Sequence, residues 1–105
     1  IMWLMLMFDL PTQTKIQRKR YHWFHAELEK ESYNMLQYSV YGKIFSSVES
    51  ANLGKKRIKD FVKKNIKNGN IRILIFTDKQ FSAMDVIIGE KSVEEKNEPE
   101  QLLLF

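Results

Sequence analysis

The chain has 105 residues, enough for one domain with its own core, and its 44% hydrophobic and 29% charged residues are usual for a soluble globular protein. The lack of cysteine excludes disulfides, thiol catalysis and thiolate zinc sites, and it is compatible with a reducing compartment such as the cytoplasm. Residues 1–89 carry 15 Lys/Arg and 8 Asp/Glu, a net charge of +7 that favours polyanionic partners or, alternatively, marks a solvated surface, whereas residues 90–105 carry 2 and 5, a net charge of −3.

The first predicted element is an apolar strand over residues 3–9, WLMLMFD. Both alternating sets of side chains are apolar, so both faces of the strand are expected to be buried. The eight apolar residues before Asp9 are far fewer than the roughly 20 that a spanning helix needs, so we expect a soluble protein. Pro11 ends the strand because it has no amide hydrogen for the ladder.

Two helices are predicted from capping signals and apolar spacing. Thr14 and Gln17 have the form of a capping box, so the first helix is expected to begin at residue 14 or 15 and to run to about Glu31. Its apolar side would contain Ile16, Trp23, Phe24 and Leu28. The second helix is expected from about Val48 to Lys67, with Asn68-Gly69-Asn70 ending it. Its apolar side would contain Leu53, Ile58, Phe61, Val62 and Ile66.

Residues 33–45 are rich in β-branched and aromatic side chains. They are interpreted as two short strands turning near Ser39 or Gly42, with one long bent strand as the alternative. Residues 71–76, IRILIF, form a further predicted strand, and residues 85–89 a shorter one after the connector TDKQFSAM. This order predicts an α+β, ferredoxin-like βαββαβ domain over residues 1–89 with an extra strand.

Two helices cover only one face of such a sheet, so the apolar second face of strands 3–9 and 71–76 needs another cover. A second copy of the chain, packed across this face, is the simplest cover, and we therefore predict a homodimer. Residues 90–100 are interpreted as an acidic linker. The following segment QLLLF would dock as an edge strand on its own sheet or on that of the partner.

Asp9 ends a buried strand just before Pro11, and two interpretations fit it. The carboxylate caps the following turn, which spacing alone favours, or it offers oxygen to a hard cation. A two-fold axis would bring two Asp9 carboxylates to one site, where they could hold Mg²⁺. The cation would polarise a phosphodiester and activate a water molecule.

Basic side chains recur on both predicted helices. On the first helix they are Lys15, Arg18, Lys19, Arg20 and His22, and on the second Lys56, Lys59, Lys63 and Lys67. Each stripe alone resembles a solvated helix face, but two stripes in one small chain favour phosphate contacts without sequence specificity.

Three other patterns have a structural interpretation that we favour. His22, His25 and Glu29 have the spacing of a one-sided metal site, yet a polar helix face is favoured because no fourth ligand is evident. Asp78 and Asp85 are interpreted as turn and connector residues. Trp23, Phe24, Tyr38 and Tyr41 fall at core spacing, so stacking on nucleobases is the less favoured alternative. No glycine-rich phosphate loop, Ser-His-Asp arrangement or nucleophile elbow is visible, which excludes those enzyme classes.

Four segments in this order resemble one family, namely FDLPT at 8–12, TKIQRKRYHWFHAEL at 14–28, MLQYSVYGK at 35–43 and RILIFTDKQFSAM at 72–84. They are similar to the CRISPR-associated "Cas two" proteins, in particular the form found beside single-effector "Cas nine" systems. The resemblance implies a ferredoxin-like homodimer in which Asp9 meets its symmetry mate and binds Mg²⁺. It also implies a metal-dependent endonuclease acting on single-stranded RNA or double-stranded DNA, and a dimer that bridges "Cas one" integrase dimers and holds duplex DNA during spacer acquisition.

The resemblance also assigns individual positions. Asp9 matches the acidic position of the family and Arg18 a basic position on the first helix. Gln37, Ser39 and Tyr41 match the motif QxSV(F/Y), which with Phe8 supports the site and the dimer. Phe8 replaces a common tyrosine, so that hydroxyl is absent, and His25 replaces a common arginine. The alternatives to a nuclease are a purely non-catalytic DNA-binding scaffold and a toxin-like ribonuclease on the same fold.

Overall fold

A computed structural model describes residues 1–89 as one four-stranded antiparallel sheet with helices. The elements are β1 (Met2–Asp9), α1 (Lys15–Lys30), β2 (Asn34–Gln37), β3 (Val40–Phe45), α2 (Val48–Asn65), β4 (Asn70–Thr77) and α3 (Asp78–Ser82). The strands lie in the order β2-β3-β1-β4. This topology confirms the predicted ferredoxin-like α+β fold. The predicted acidic linker and the QLLLF strand lie outside the described residues.

The local signals in the sequence set where the helices begin. The Thr14 hydroxyl accepts a hydrogen bond from the Gln17 amide at 3.1 Å, and the Gln17 side chain accepts one from the Thr14 amide at 3.0 Å. This capping box confirms the predicted start of α1. A second box, between Ser47 and Ser50, starts α2. The two predicted strands within residues 33–45 are also confirmed, with the turn at Tyr38 and Ser39.

The core lies between the two long helices and one face of the sheet. Alternate residues of β1, namely Leu4, Leu6 and Phe8, point to this side and are buried against α1. Ile16 and Leu53, which were predicted to face the core, are instead 70% and 66% exposed. Ile16 lies in the first turn of α1, beside Leu10 and Pro11 where the sheet ends. Leu53 lies on the rim of a cavity of about 490 Å³ between the helices and β3.

The other side of the sheet, which we call the open face, is only partly covered. Met5 and Met7 of β1 are half-buried on it, and Leu74 of β4 is 54% exposed. The prediction that both faces of β1 and β4 are buried therefore holds for the helix face of β1 and for Trp3 on its open face. It is wrong for β4, whose helix-facing Ile71, Ile73 and Ile75 are only partly buried and whose Leu74 is exposed. Within residues 1–89, no helix has the length and apolar character required to span a membrane.

The segment after β4 differs from its prediction. Residues 78–82, predicted as part of a connector, form α3, because Thr77 and Gln80 make a capping box. Phe81 of α3 stacks on Trp3 of the open face with ring centroids 3.9 Å apart. The Trp3 indole donates to the Asp78 carboxylate at 3.1 Å. The predicted strand at 85–89 was wrong, since these residues pair with no strand within the described part of the chain.

Candidate functional site

Asp9 lies at the end of β1 with an exposed side chain. It pairs in register with Asn70 of β4, and Arg72 lies opposite Met7, so Asp9, Asn70 and Arg72 share one corner of the open face. The Arg72 guanidinium donates to the Asn70 side-chain oxygen at 3.0 Å. A carboxylate, an amide and a cation therefore meet at the point where the sheet ends.

The backbone beside Asp9 is fixed by a glycine. Gly69 has a φ of +117°, which favours glycine, and a Cβ added there would lie 2.8 Å from the Asp9 carbonyl oxygen and from the Leu10 side chain. The loop before β4 can therefore pack directly on the end of β1. Leu10 is buried at this point, so the chain on both sides of the Asp9 carboxylate is held in place.

Arg18 braces the loop that follows Asp9. Its Nη1 atom donates to the Thr12 carbonyl at 3.1 Å and to the Gln13 carbonyl at 2.8 Å. The positive charge therefore lies at the turn between β1 and α1. The other guanidinium nitrogens form no hydrogen bond within residues 1–89, which leaves donors that suit a phosphate.

The corner at Asp9 offers few ligands for a divalent cation. No group of three His, Cys, Asp or Glu side chains that could hold a metal lies within residues 1–89, so one chain does not build a closed metal cage. Mg²⁺ is commonly held by only one or two carboxylates, with waters and substrate phosphates as the other ligands. One exposed Asp9 supplies the smaller of these numbers of carboxylates, and two Asp9 side chains would supply the larger.

An aromatic cluster lies behind Asp9 on the helix face. Phe8 is its centre, and four rings lie with their centroids 4.9–6.2 Å from that of Phe8. These rings belong to Tyr21, Phe24, His25 and Tyr41. Because Phe8 precedes Asp9 directly, packing of this cluster sets the position of the strand end.

His25 belongs to this cluster and not to a metal site. Its Nδ1 atom lies 2.7 Å from the Tyr41 hydroxyl, which donates to a Glu29 carboxylate oxygen at 3.4 Å. We assign the imidazole proton to Nδ1 on this basis, with Nε2 buried and without a partner within residues 1–89. Burial lowers the pKa of His25, the nearby His22 lowers it further and Glu29 opposes the shift. The favoured prediction of a polar helix face was therefore wrong for His25.

The turn between β2 and β3 connects the cluster to Asp9. The Ser39 carbonyl accepts from the Phe8 amide at 3.0 Å, and the Ser39 and Tyr21 hydroxyls lie 2.7 Å apart. These contacts hold Ser39 at a φ of 65°, a conformation that costs a residue other than glycine roughly 1–2 kcal/mol. Burial raises the pKa of Tyr21 to about 12, and the charge of Asp9 adds to this shift. Burial likewise raises the pKa of Tyr41 to about 12.

The remaining residues of the predicted motif have different surroundings. Tyr41 is fully buried, as predicted from its core spacing, whereas Tyr38 is 72% exposed, so the prediction that Tyr38 belongs to the core was wrong. Tyr38 occupies the turn itself and projects from the end of the hairpin. Gln37 is exposed at the end of β2, and its side chain forms no hydrogen bond within the described residues.

The predicted nucleic-acid-binding side chains are all on the surface. The exposed ones are Lys15, Arg18, Lys19 and Arg20 on α1, and Lys56, Lys59 and Lys63 on α2. Lys56 lies 3.9 Å from Asp60, a weak exposed pair, and neither Lys59 nor Lys63 pairs with a carboxylate in the described part of the chain. Their contact with phosphates stays a prediction.

Sequence reasoning missed Tyr21, Asn70 and Arg72. The spacing of Tyr21 from Phe24 and Leu28 is helical and would have placed all three on one buried side of α1. Nothing comparable points to Asn70 and Arg72, because their proximity to Asp9 depends on the register between β1 and β4.

The cavity of about 490 Å³ lies away from this corner. Phe45, which lines it, pairs with Met2 at the opposite end of β1 from Asp9. The acidic residues on its lining, Glu27, Glu31 and Asp60, pair with Lys30, Arg57 and Lys56 and form no potential metal-binding group within residues 1–89, so we favour the corner at Asp9 as the candidate site.

The chain is similar to known proteins over most of its length. The family described as CRISPR associated protein Cas2 matches residues 2–84. A Parvibaculum lavamentivorans protein is 39% identical over 104 residues, covering 99% of this chain and 100% of the relative. A Ligilactobacillus salivarius protein is 37% identical, covering 97% of this chain and 98% of the relative. A Flavobacterium psychrophilum protein is 36% identical, covering 99% and 88%.

All three relatives are named CRISPR-associated endoribonuclease Cas2. Both the family match and the identity extend over the elements that build the Asp9 corner. The chain therefore belongs to the CRISPR-associated Cas2 family.

Proposed function

We propose that this protein hydrolyses phosphodiester bonds of single-stranded RNA at a divalent-metal site built on Asp9. The reaction class rests on the family, whose members quoted above are named endoribonucleases. The single observation that carries the site is the exposed Asp9 carboxylate, on a backbone that packs against Gly69 and lies between the aromatic cluster and the loop contacted by Arg18. Asp9 is also the only carboxylate at this corner among the described residues.

Magnesium is the cation that this donor chemistry favours, because hard carboxylate oxygens and exchangeable waters are its usual ligands. When bound, it supplies charge neutralisation at phosphorus and a more acidic water. Asp9 would hold and orient the cation. Arg18, whose remaining donors form no hydrogen bond within residues 1–89, would bind a phosphate next to the cleaved bond.

The proposed active form is a homodimer formed through the open face. An apolar surface that includes the 54% exposed Leu74 and the half-buried Met5 and Met7 favours association with a second copy. Asp9 lies on the same face, so a two-fold axis there would pair the two carboxylates. Each chain would then contribute one Asp9 to a shared site.

Cleavage of a labelled single-stranded RNA with Mg²⁺ or with EDTA tests this proposal. Wild type is compared with Asp9→Ala, and with Asp85→Ala as a matched control, since Asp85 is an exposed carboxylate that follows α3, whose Phe81 packs on Trp3 at the other end of β1 from Asp9. Metal-dependent cleavage should be lost in Asp9→Ala and kept in Asp85→Ala. Equal cleavage by all three proteins would refute a catalytic role of Asp9.

A second function is proposed from the charge pattern, namely a scaffold that holds duplex DNA and bridges Cas one integrase dimers during spacer acquisition. The exposed lysines 56, 59 and 63 of α2 support it, since Lys56 has only a weak exposed pair with Asp60, the other two have no carboxylate partner within residues 1–89, and such lysines suit phosphate contacts. Replacing these three lysines with glutamate should weaken duplex binding and reduce its salt dependence, whereas Asp9→Ala should leave binding intact. Duplex binding unaffected by the three replacements would contradict the scaffold proposal.

A further inference from the structure

Tyr38 is an aromatic side chain whose exposure the described chain does not explain. It is 72% exposed, although every other tyrosine among residues 1–89 is buried. Its ring is nevertheless held on one side, with its centroid 5.6 Å from that of Tyr21 and 5.6 Å from that of His25. One side of the Tyr38 side chain is thus near the cluster, with both ring pairs tilted, and most of the side chain is exposed to solvent.

The position of Tyr38 relates it to Asp9. The next residue, Ser39, bonds to the Phe8 amide and to the Tyr21 hydroxyl. The turn that carries Tyr38 is therefore fastened to the strand that ends in Asp9. Tyr38 and Asp9 lie on different sides of the sheet edge, because Tyr38 packs on α1 whereas Asp9 belongs to the open face.

A dimer formed through the open face would leave Tyr38 uncovered, because its ring contacts only the helix side. The neighbouring surface of α1 carries a cation. Arg18 and His22 are exposed at i and i+4, and the His25 ring that contacts Tyr38 follows at i+7. An aromatic ring with an arginine on the same side of the helix suits a base with its attached phosphates.

We propose, on the basis of the proposed function, that Tyr38 is a stacking platform for an unpaired nucleobase of single-stranded RNA bound at the Asp9 site. A nucleobase in a duplex has both faces covered by its neighbours, so it cannot stack on Tyr38 without leaving the helix. Tyr38 is thus a specificity-determining residue that favours single strands over duplexes. It contacts a part of the substrate that extends past the sheet edge from Asp9, and it takes no part in the bond-breaking step.

The test measures binding by fluorescence anisotropy with a labelled 12-nucleotide adenosine RNA and with a 12-base-pair RNA duplex, both in EDTA so that no cleavage occurs. The variants are Tyr38→Ala, Tyr38→Leu, which keeps apolar bulk without a ring, and Tyr38→Phe, which keeps the ring. Leu53→Ala is the matched control, since Leu53 is comparably exposed at 66% and lies on the rim of the distant cavity.

Tyr38→Ala and Tyr38→Leu should weaken single-strand binding by about 5- to 150-fold, the range expected for loss of one stacked base. Tyr38→Phe and Leu53→Ala should bind like wild type, and duplex binding should be the same for all variants. Four outcomes would each overturn the proposal. Two concern affinity: an equal loss of affinity for single strand and duplex, or no loss of single-strand affinity in Tyr38→Ala. The others are a changed oligomeric state as the only effect, and no single-strand binding by wild type.

A second readout does not depend on the alanine variant being folded. An RNA with one 2-aminopurine should lose fluorescence on binding to wild type or Tyr38→Phe, because stacking on the ring quenches it. Unchanged fluorescence with both proteins would overturn the proposed stacking on Tyr38.

Cleavage assays separate this proposal from the proposed function. If Asp9→Ala cuts RNA as wild type does while Tyr38→Ala loses single-strand affinity, the catalytic site fails and the platform stands. If Asp9→Ala is inactive while Tyr38→Ala binds normally, the platform fails.

Discussion

The hydrogen bond between Tyr41 and His25 offers a measurable test of the aromatic cluster. Tyr41 is fully buried in the core. Its hydroxyl is the sole hydrogen-bond partner of His25 Nδ1 within residues 1–89. Tyr41→Phe removes that oxygen while leaving the ring. His25 would then have two nitrogens without partners, because Nε2 already has none in the described chain.

The magnitude follows from the cost of a buried polar group that loses its partner, about 1–3 kcal/mol. The contact from Tyr41 to Glu29 is long at 3.4 Å and Glu29 is exposed, so its loss should add little. We expect the free energy of unfolding to fall by about 2 kcal/mol, in the middle of this range. For a domain of this size, each kcal/mol corresponds to a decrease in Tm of about 4–8 °C.

Urea denaturation at a fixed protein concentration, followed by circular dichroism, measures this change. Tyr33→Phe is the control, since Tyr33 is also buried but its hydroxyl forms no hydrogen bond within residues 1–89. The double variant His25→Phe/Tyr41→Phe removes both partners and should be less destabilised than the sum of the single variants. Two results would refute the assigned role of this hydrogen bond. One is that Tyr41→Phe lowers the free energy of unfolding no more than Tyr33→Phe does. The other is that the double variant loses the exact sum of the two single losses.

Two further predictions concern pH and the backbone beside Asp9. The folded chain holds the pKa of His25 below its usual 6.5, so stability from the neutral ring is present above about pH 6.5 and is lost as the pH falls. Wild type should unfold at lower urea concentration at about pH 5.5 than at about pH 7.5, and His25→Phe should reduce this difference. Gly69→Ala should lower the free energy of unfolding by about 1–3 kcal/mol and reduce RNA cleavage, because its Cβ would press on the Asp9 carbonyl.

Each of these predictions has a matched control. His22→Gln removes the smaller of the two contributions that lower the pKa of His25, so it should reduce the pH dependence less than His25→Phe does. An equal effect from both variants would contradict the assignment to His25. Gly89→Ala places a Cβ at a similar φ of +121°, but its nearest contact is 4.0 Å away in an exposed segment. A loss of cleavage in Gly89→Ala as large as in Gly69→Ala would show that contact with Asp9 is not the cause.

Local signals in the sequence were sufficient for most of the fold. The capping box at Thr14 and Gln17 and the turn chemistry around Ser39 depend on neighbours in the chain, and the structure confirms both. The errors have a tertiary cause. Leu53 has helical apolar spacing but lies on the rim of a cavity. The segment TDKQFSAM has the composition of a connector, yet part of it forms a helix whose Phe81 packs on Trp3, 78 positions earlier in the sequence.

The site could be predicted only in part for the same reason. Asp9 stands out because a lone carboxylate ends an apolar strand. Asn70 and Arg72 become its neighbours through the pairing of β1 with β4, which no short motif encodes. His25 appeared to belong to a polar stripe, because helical spacing does not reveal that Tyr41 of another element provides a partner for its ring.

The docking of Phe81 on Trp3 has a consequence for how two copies can meet. Trp3 is 1% exposed, so the Met2 end of the open face is already closed by the chain's own α3. The surface left for a second copy is centred on Met5, Met7 and Leu74, displaced toward Asp9. In the proposed dimer, the five-residue helix α3 would limit how far the two sheets overlap and would place the symmetry axis nearer to the Asp9 carboxylates. Shortening the side chain at position 81 would then free the covered half and permit a shifted arrangement in which the two Asp9 side chains lie apart.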